Sequence, residues 1–322
     1  MQERLQYLDS MKGLAIIMVI MGHVELSVLQ STTIVTTVVS YLHLPIFMFI
    51  SGLLLSRGGI SNKDKNLLSQ VSTKFRRLII PFVSFSFLYA IVFNFSLKDI
   101  FFSNYKYGFW FTFTLFFLII IVLLVDKLAQ KVNCFIYLFF LYIVFYALLC
   151  YLHFYQIFPT EIDNLLSLPQ LVYYYPVFVF GFLMGKYHAI YSWFFDNVYL
   201  AFSSLLIFVF LIFLVWNYKF DNLILLVVLN ISGVFFVHYL FKYFNVKIPL
   251  NRVLNKFGQY SLEIYMIHFF YIGLINSIFK LIGYSHIVYL ITLTIFLLVI
   301  SYFTGILISK SKLLKLILWG TK

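Results

Sequence analysis

A lysine and a histidine in the first apolar stretch have the spacing of a single helical face. Lys12 and His23 are eleven residues apart in DSMKGLAIIMVIMGH. On a helix they are therefore about 20° apart around the axis and about 16 Å apart along it, and Asp9 lies about 40° from the same face. A buried neutral imidazole can accept a proton. The pattern predicts a general base at His23, with a packing histidine as the alternative.

Other polar or aromatic groups in apolar stretches are candidates for binding or catalysis, because ionisable residues inside a membrane usually face a cavity or a partner. His43 precedes Pro45, which can break a helix and expose carbonyl groups, so His43 is either a substrate contact or a packing residue. Trp110 is a candidate substrate contact or an interfacial belt residue. Glu263 and His268 are about 140° apart on a helix, so they are not expected to face one site without a distortion.

Glu263, Asp9 and His268 are further candidate site residues. Glu263 is a second catalytic candidate, with a structural ion pair to Lys12 or to an imidazole as the alternative. Asp9 and His268 are candidate substrate contacts.

A basic cluster precedes the third apolar stretch in the segment KFRRLIIPF. It contains Lys74, Arg76 and Arg77. Guanidinium groups suit phosphate oxygens, so the cluster predicts binding of a phosphorylated ligand, with topological anchoring as the alternative. The sequence contains no HExxH motif, glycine-rich phosphate loop or nucleophile elbow, and no metal is predicted.

The composition indicates that these groups lie in a membrane. Hydrophobic residues are 63% of the 322 residues and charged residues 11%, against roughly 45–50% and about 25% in soluble proteins. A helical span needs about 20 mostly apolar residues. The sequence predicts an all-α bundle of about ten such helices, at 11–30, 33–55, 76–95, 109–126, 134–153, 169–187, 198–217, 221–243, 259–280 and 286–309.

The basic residues predict the orientation of the bundle. With the N-terminus in the cytoplasm, the outside loops hold only four of the 23 Lys and Arg residues, namely Lys98, Lys106, Lys219 and Lys280. This asymmetry predicts that both termini are cytoplasmic. It also explains the net charge of +12 without a nucleic-acid partner. Residues 1–322 are expected to form one membrane domain without an appended soluble domain, and the lysine-rich tail after residue 309 is expected mainly to anchor the topology.

An ordered set of motifs resembles the integral-membrane acyltransferase 3 family, which includes O-acetyltransferases of bacterial surface polysaccharides. After the first stretch come LHLPIFMFISG, KFRRLIIPF, GFWF, PVFVFGFLMGKY and FGQYSLEIYMIH, in the family's order and over nearly the whole chain. The resemblance implies about ten helices, acetyl-coenzyme A (acetyl-CoA) as a cytoplasmic acyl donor, and a catalytic role for His23. It implies contacts of Lys12, Lys74, Arg76 and Arg77 with the donor, and it places His43 and Trp110 in family motifs. Lys12 stands where many members have Arg.

We therefore expect a multi-pass O-acetyltransferase of a bacterial inner membrane. It would transfer an acetyl group from acetyl-CoA to a sugar hydroxyl of a surface polysaccharide or of its lipid-linked precursor. His23 would act as a base or as a transient acyl acceptor. Its partners would be the donor, the glycan, membrane lipid and a possible second copy of the chain. The alternatives are a transporter or flippase for a glycan or lipid intermediate, and a structural subunit of a glycan-assembly complex.

Overall fold

The computed structural model describes residues 5–57, 67–129, 134–220, 222–244, 250–278 and 286–321. All the regular elements in these ranges are helical, which confirms the predicted all-α class. A five-residue π-helical turn, Val24–Val28, continues the first helix. The helices are α1 (Gln6–His23), α2 (Ile34–Ser40), α3 (His43–Leu55), α4 (Leu67–Phe93), α5 (Leu97–Phe102), α6 (Trp110–Ala129), α7 (Phe135–Phe154), α8 (Thr160–Leu165), α9 (Leu168–Lys186), α10 (His188–Phe195), α11 (Val198–Tyr218), α12 (Leu223–Phe244), α13 (Asn251–Gln259), α14 (Ser261–Ile278), α15 (His286–Lys310) and α16 (Lys312–Trp319).

Nine helical segments within the described ranges are long and apolar enough to cross a membrane. They are α1 with its π turn, α2 together with α3, and α4, α6, α7, α9, α11, α12 and α15. The tenth predicted span, 259–280, corresponds mainly to α14, a shorter apolar helix. Residues 279 and 280 lie outside the described ranges.

Two predicted spans differ in detail from the observed helices. The second is interrupted by a turn at Tyr41 and Leu42, so Pro45 lies in the first turn of α3, where a missing N–H is tolerated. The third begins at Leu67 and not near residue 76. Hydropathy detects only the apolar part of this helix, whereas backbone hydrogen bonding continues through polar residues. Lys74, Arg76 and Arg77 consequently lie on α4 itself.

The chain divides into two compact units, each of which contains residues with predicted roles. Unit 1 comprises residues 1–50 and 187–308, and unit 2 comprises residues 51–186 and 309–322. Unit 1 contains the candidate imidazoles and Lys12, whereas unit 2 contains the basic cluster and Trp110.

In unit 1, two glycines let α13 pack directly against the start of α1. A methyl group added at Gly13 would lie 1.9 Å from the carbonyl oxygen of Leu254, and one at Gly258 would lie 1.7 Å from the carbonyl oxygen of Asp9. Backbone-to-backbone packing at this distance requires glycine. The Ser10 hydroxyl also donates to Asn251 Oδ1. These contacts fix the helical turn that carries Asp9 and Lys12.

In unit 2, the membrane helices are joined by buried polar contacts. Lys186 at the end of α9 forms an ion pair with Asp126 of α6, whose side chain is almost fully buried. His153 at the end of α7 pairs with Asp163 of α8, with 2.9 Å between Nδ1 and Oδ2. Buried charges are expensive unless paired, so these contacts stabilise the arrangement of the helix ends.

Candidate functional site

The centre of the candidate site is a pair of histidines from α1 and α14. His23 Nδ1 lies 2.9 Å from His268 Nε2, and the two ring planes are within 4° of parallel. The ring of Phe269 packs beside His23 at a centroid distance of 4.7 Å. His268 is fully buried, whereas His23 is only partly buried. The pair therefore consists of one enclosed imidazole and one that keeps some access.

A backbone carbonyl determines which nitrogen atoms carry protons in the neutral pair. His268 Nδ1 lies 3.2 Å from the carbonyl oxygen of Ile264, which can only accept a hydrogen bond. His268 therefore donates from Nδ1 and accepts at Nε2. The His23 Nδ1–H must then be the donor to His268, which leaves the lone pair of His23 on Nε2. Such a nitrogen is able to take a proton from an approaching hydroxyl group.

His43 is a buried neighbour of this pair. It is the first residue of α3, and its Nδ1–H donates to the carbonyl oxygen of Val39 in α2. It lies within electrostatic range of His23. The turn between α2 and α3 thus lets the His43 side chain form a hydrogen bond with the last turn of α2.

Lys12 and Asp9 form an ion pair on α1, one turn apart. Lys12 Nζ lies 2.7 Å from Asp9 Oδ1, and the Asp9 side chain is only 7% exposed. The helical face predicted from the sequence therefore has the paired Lys12 at one end and the imidazole of His23 at the other. Asp9 therefore holds the Lys12 ammonium group.

Glu263 lies in the first turn of α14, five residues before His268. Its β-carbon faces Gly305 of α15, where an added methyl group would lie 2.9 Å away. The two residues lie on different parts of the helix surface, in agreement with the predicted separation of about 140°. His268, and not Glu263, is the α14 side chain that bonds to His23.

The basic cluster of unit 2 presents its charges outward. Arg76 and Arg77 are exposed on α4, and Lys74 is half-buried one turn earlier. Adjacent exposed guanidinium groups offer several donors to an anionic ligand. Within the described part of the chain, neither arginine side chain makes a hydrogen bond that would have to break. Both guanidinium groups can therefore bind phosphate.

Trp110 begins α6 in the interior of unit 2. Its indole stacks against Tyr174 of α9 at a centroid distance of 5.4 Å, and Tyr105 meets it edge-on at 6.3 Å. Only 7% of Trp110 is exposed. This side chain therefore packs against aromatic rings in the interior of unit 2.

Residues 5–309 match the family model of the acyltransferase 3 family, which describes an acyltransferase domain. The chain belongs to the acyltransferase 3 family. The match covers every candidate site residue named above and confirms the resemblance to this family. Neither a curated protein nor a solved structure matches the chain. This acyltransferase is thus a multi-pass membrane protein whose family is consistent with acyl transfer.

The acyltransferase also contains a buried lysine that was not among the predicted site residues. Lys106 lies in the connection before Trp110, donates to the carbonyl oxygens of Phe101 and Asn164 at 3.1 and 2.6 Å, and lies over the ring of Phe113. Burial lowers the pKa of Lys106 to about 8. Its backbone has a positive φ of 45°. Lys106 therefore shapes the strained loop that leads into α6.

A second residue without a predicted role is Glu25, two residues after His23 in the π turn. Glu25 is fully buried, and neither carboxylate oxygen has a hydrogen-bond partner among the residues that the structure describes. The Leu29 N–H donates to Val24 O across this widened turn. Apolar periodicity does not reveal a π turn, because such a turn changes the helical register but leaves the segment apolar.

Proposed function

We propose that this acyltransferase is an O-acetyltransferase of a bacterial inner membrane, with both termini in the cytoplasm. It would transfer an acetyl group from cytoplasmic acetyl-CoA to a sugar hydroxyl of a surface polysaccharide or of its lipid-linked precursor. The observation that carries the proposal is the unprotonated Nε2 that the His23–His268 hydrogen bond leaves on His23. Family membership supplies the acyl-transfer class.

In the proposed reaction, His23 acts as a general base. Its Nε2 takes the proton of the acceptor hydroxyl while the hydroxyl oxygen attacks the thioester carbonyl carbon. As the tetrahedral intermediate collapses, the C–S bond breaks, and the leaving thiolate receives the proton from His23. An acetyl ester and free coenzyme A result, and His23 returns to its starting state. General-base catalysis of this kind contributes typically about 10²- to 10⁴-fold to the rate.

His268 supports the base by holding its ring. Its Nε2 accepts the His23 Nδ1–H before the reaction and continues to do so when His23 is protonated on both nitrogens. This contact keeps the ring orientation constant while the proton is transferred. Reorganisation within the site during the reaction is therefore small.

Arg76 and Arg77 bind the phosphate groups of the donor in this proposal, and Lys74 and Lys12 add positive charge. The support for it is the exposure of both arginines and their position in the segment KFRRLIIPF, which resembles a motif of the family. Asp9 orients Lys12 through their 2.7 Å ion pair. We retain His43 and Trp110 as acceptor contacts and Glu263 as a supporting carboxylate within the same proposal.

A chemical comparison of cells with and without the protein tests the function directly. Mass spectrometry of the surface glycan should detect acetyl groups in wild-type cells that are absent from deletion cells. Purified protein should also convert acetyl-CoA and deacetylated glycan into free coenzyme A and acetylated glycan. Unchanged glycan acetylation in deletion cells, together with no turnover by the purified protein, would favour a transporter.

Replacing both exposed arginines should weaken donor binding selectively. In Arg76→Gln/Arg77→Gln protein, we expect the KM for acetyl-CoA to rise strongly and the KM for the acceptor to change little. Each lost charged hydrogen bond should cost roughly 1.5–3 kcal/mol. Steady-state kinetics with each substrate varied in turn measures the two constants.

The matched control removes the same charge elsewhere in unit 2. Lys127→Gln/Lys312→Gln protein loses two exposed cations of α6 and α16 and should keep a normal KM for acetyl-CoA. An equal rise in both double variants would reduce the role of the arginines to general electrostatics. An unchanged KM in the arginine variant would remove them from the donor site.

A further inference from the structure

The last described helix packs along the helix that carries the basic cluster. The Ser84 hydroxyl of α4 donates to the carbonyl oxygen of Ile317 in α16 at 2.8 Å. Trp319, at the end of α16, is 3% exposed and stacks on Phe85 with a centroid distance of 4.8 Å. The amphipathic tail is therefore held by specific contacts with α4, which a simple topological anchor does not require.

The residue after α16 touches the backbone of the basic cluster itself. Gly320 has a φ of +60° and ends the helix through a hydrogen bond from its N–H to the carbonyl oxygen of Leu316. A methyl group added at Gly320 would lie 2.0 Å from the carbonyl oxygen of Arg76 and 3.2 Å from Cβ of Ile80. Both the left-handed backbone and the contact with Arg76 require glycine here.

These contacts lie outside the part of the chain that the family model matches. The match ends at residue 309, and α16 begins at Lys312. The packing of Trp319 and Gly320 on α4 is thus an addition to the matched domain. Gly320 touches α4 at Arg76, one of the two exposed arginines, whereas Trp319 stacks on Phe85 further along the same helix.

We propose that residues 317–320, at the end of α16 and just after it, are a positioning element for the acyl donor. Gly320 contacts the α4 backbone at Arg76, and Trp319 seats the same segment on α4 at Phe85, so that the guanidinium groups of Arg76 and Arg77 keep the orientation needed to bind the donor phosphates. This inference rests on the proposed donor role of Arg76 and Arg77. Bidentate recognition of phosphate depends on orientation more than a point charge does, which makes a fixed backbone valuable at this position.

The test compares two donors that differ in their phosphates. Acetyl-CoA carries them, whereas acetyl-pantetheine presents the same thioester without phosphate groups. In Gly320→Val protein, the added side chain must displace the Arg76 carbonyl, and we expect the Kd for acetyl-CoA to rise on the order of tenfold to a hundredfold. The Kd for acetyl-pantetheine should not change. Titration calorimetry measures acetyl-CoA binding, and competition against acetyl-CoA measures acetyl-pantetheine binding.

A second variant and a matched control guard against general destabilisation. Trp319→Ala removes the ring that stacks on Phe85 and should weaken acetyl-CoA binding in the same selective way. Leu313→Ala changes a side chain of the same helix that is 65% exposed, and it should alter neither affinity. Equal weakening of both donors would show a structural effect, and unchanged acetyl-CoA binding in folded Gly320→Val and Trp319→Ala proteins would also overturn the proposal.

Combining the substitutions separates this proposal from the proposed function. In an Arg76→Gln/Arg77→Gln background, Gly320→Val should have almost no further effect on acetyl-CoA binding, because the groups that it positions are gone. Fully additive losses would contradict positioning through the arginines. If the arginine variant itself binds acetyl-CoA normally, the proposed donor site fails regardless of Gly320.

Discussion

His23→Asn protein should insert, fold and bind acetyl-CoA, yet transfer acetyl groups at least about a hundredfold more slowly than the wild type. The asparagine amide can still donate to His268 Nε2, which preserves the contact with α14. It has no nitrogen that accepts a proton at neutral pH. Single-turnover transfer at saturating acetyl-CoA, with donor binding measured in parallel, separates loss of chemistry from loss of binding.

His188→Asn is the matched control for that experiment. His188 begins α10 and is exposed, and its Nδ1 lies 3.4 Å from the Ser192 hydroxyl. The control variant should keep nearly all of the transfer activity. A near wild-type rate in His23→Asn protein would make His23 a packing residue, and the role of base would then pass to another imidazole of unit 1.

The membrane helices were predictable because each one needs a long apolar segment. Within the described residues, the continuous apolar runs correspond to nine helices that are long and apolar enough to cross a membrane and to the shorter helix α14. The break near His43 was also predictable, since Pro45 lacks the N–H that a continuous helix needs. Helix ends were harder to predict, because the hydrogen-bonded backbone of α4 extends to Leu67 beyond the apolar residues.

The pairing of His23 with His268 could not be derived from one sequence. The two residues are 245 positions apart, and their contact depends on how α1 and α14 pack. Helical spacing could relate Lys12 to His23 because both lie on one helix. It could also show that Glu263 and His268 point in different directions. It could not show which of these two meets α1.

Close helix contacts were only partly visible in the sequence. A glycine within an apolar helix, such as Gly13, permits the close approach of another backbone, and the structure places the backbone of Leu254 there. Gly320 gave no such signal, since a glycine near a lysine-rich tail is unremarkable by composition. Its significance depends on a positive φ and on the Arg76 carbonyl, and both are properties of the tertiary structure.

His268 should act as a positioning residue, and graded substitutions can show this. His268→Phe keeps a ring in the pocket but cannot accept the His23 Nδ1–H. The His23 imidazole would then populate both tautomers, one of which carries its proton on Nε2 and cannot act as a base. The imidazolium that forms during the reaction also loses a charged hydrogen bond worth about 1.5–3 kcal/mol, so we expect the kcat of this variant to fall by roughly tenfold to a hundredfold.

His268→Gln provides the conservative comparison. Its amide oxygen can accept the His23 Nδ1–H, so this variant should recover a substantial part of the activity lost in His268→Phe protein. The KM for acetyl-CoA should stay the same in both, because His268 contacts His23 and not the proposed phosphate-binding residues. Equal kcat values for the two variants, or a parallel rise in KM, would contradict tautomer control and assign His268 to packing. A kcat that decreases from the wild type to His268→Gln and then to His268→Phe would instead support the hydrogen bond between His23 and His268. The Ile264 carbonyl fixes the direction of that hydrogen bond.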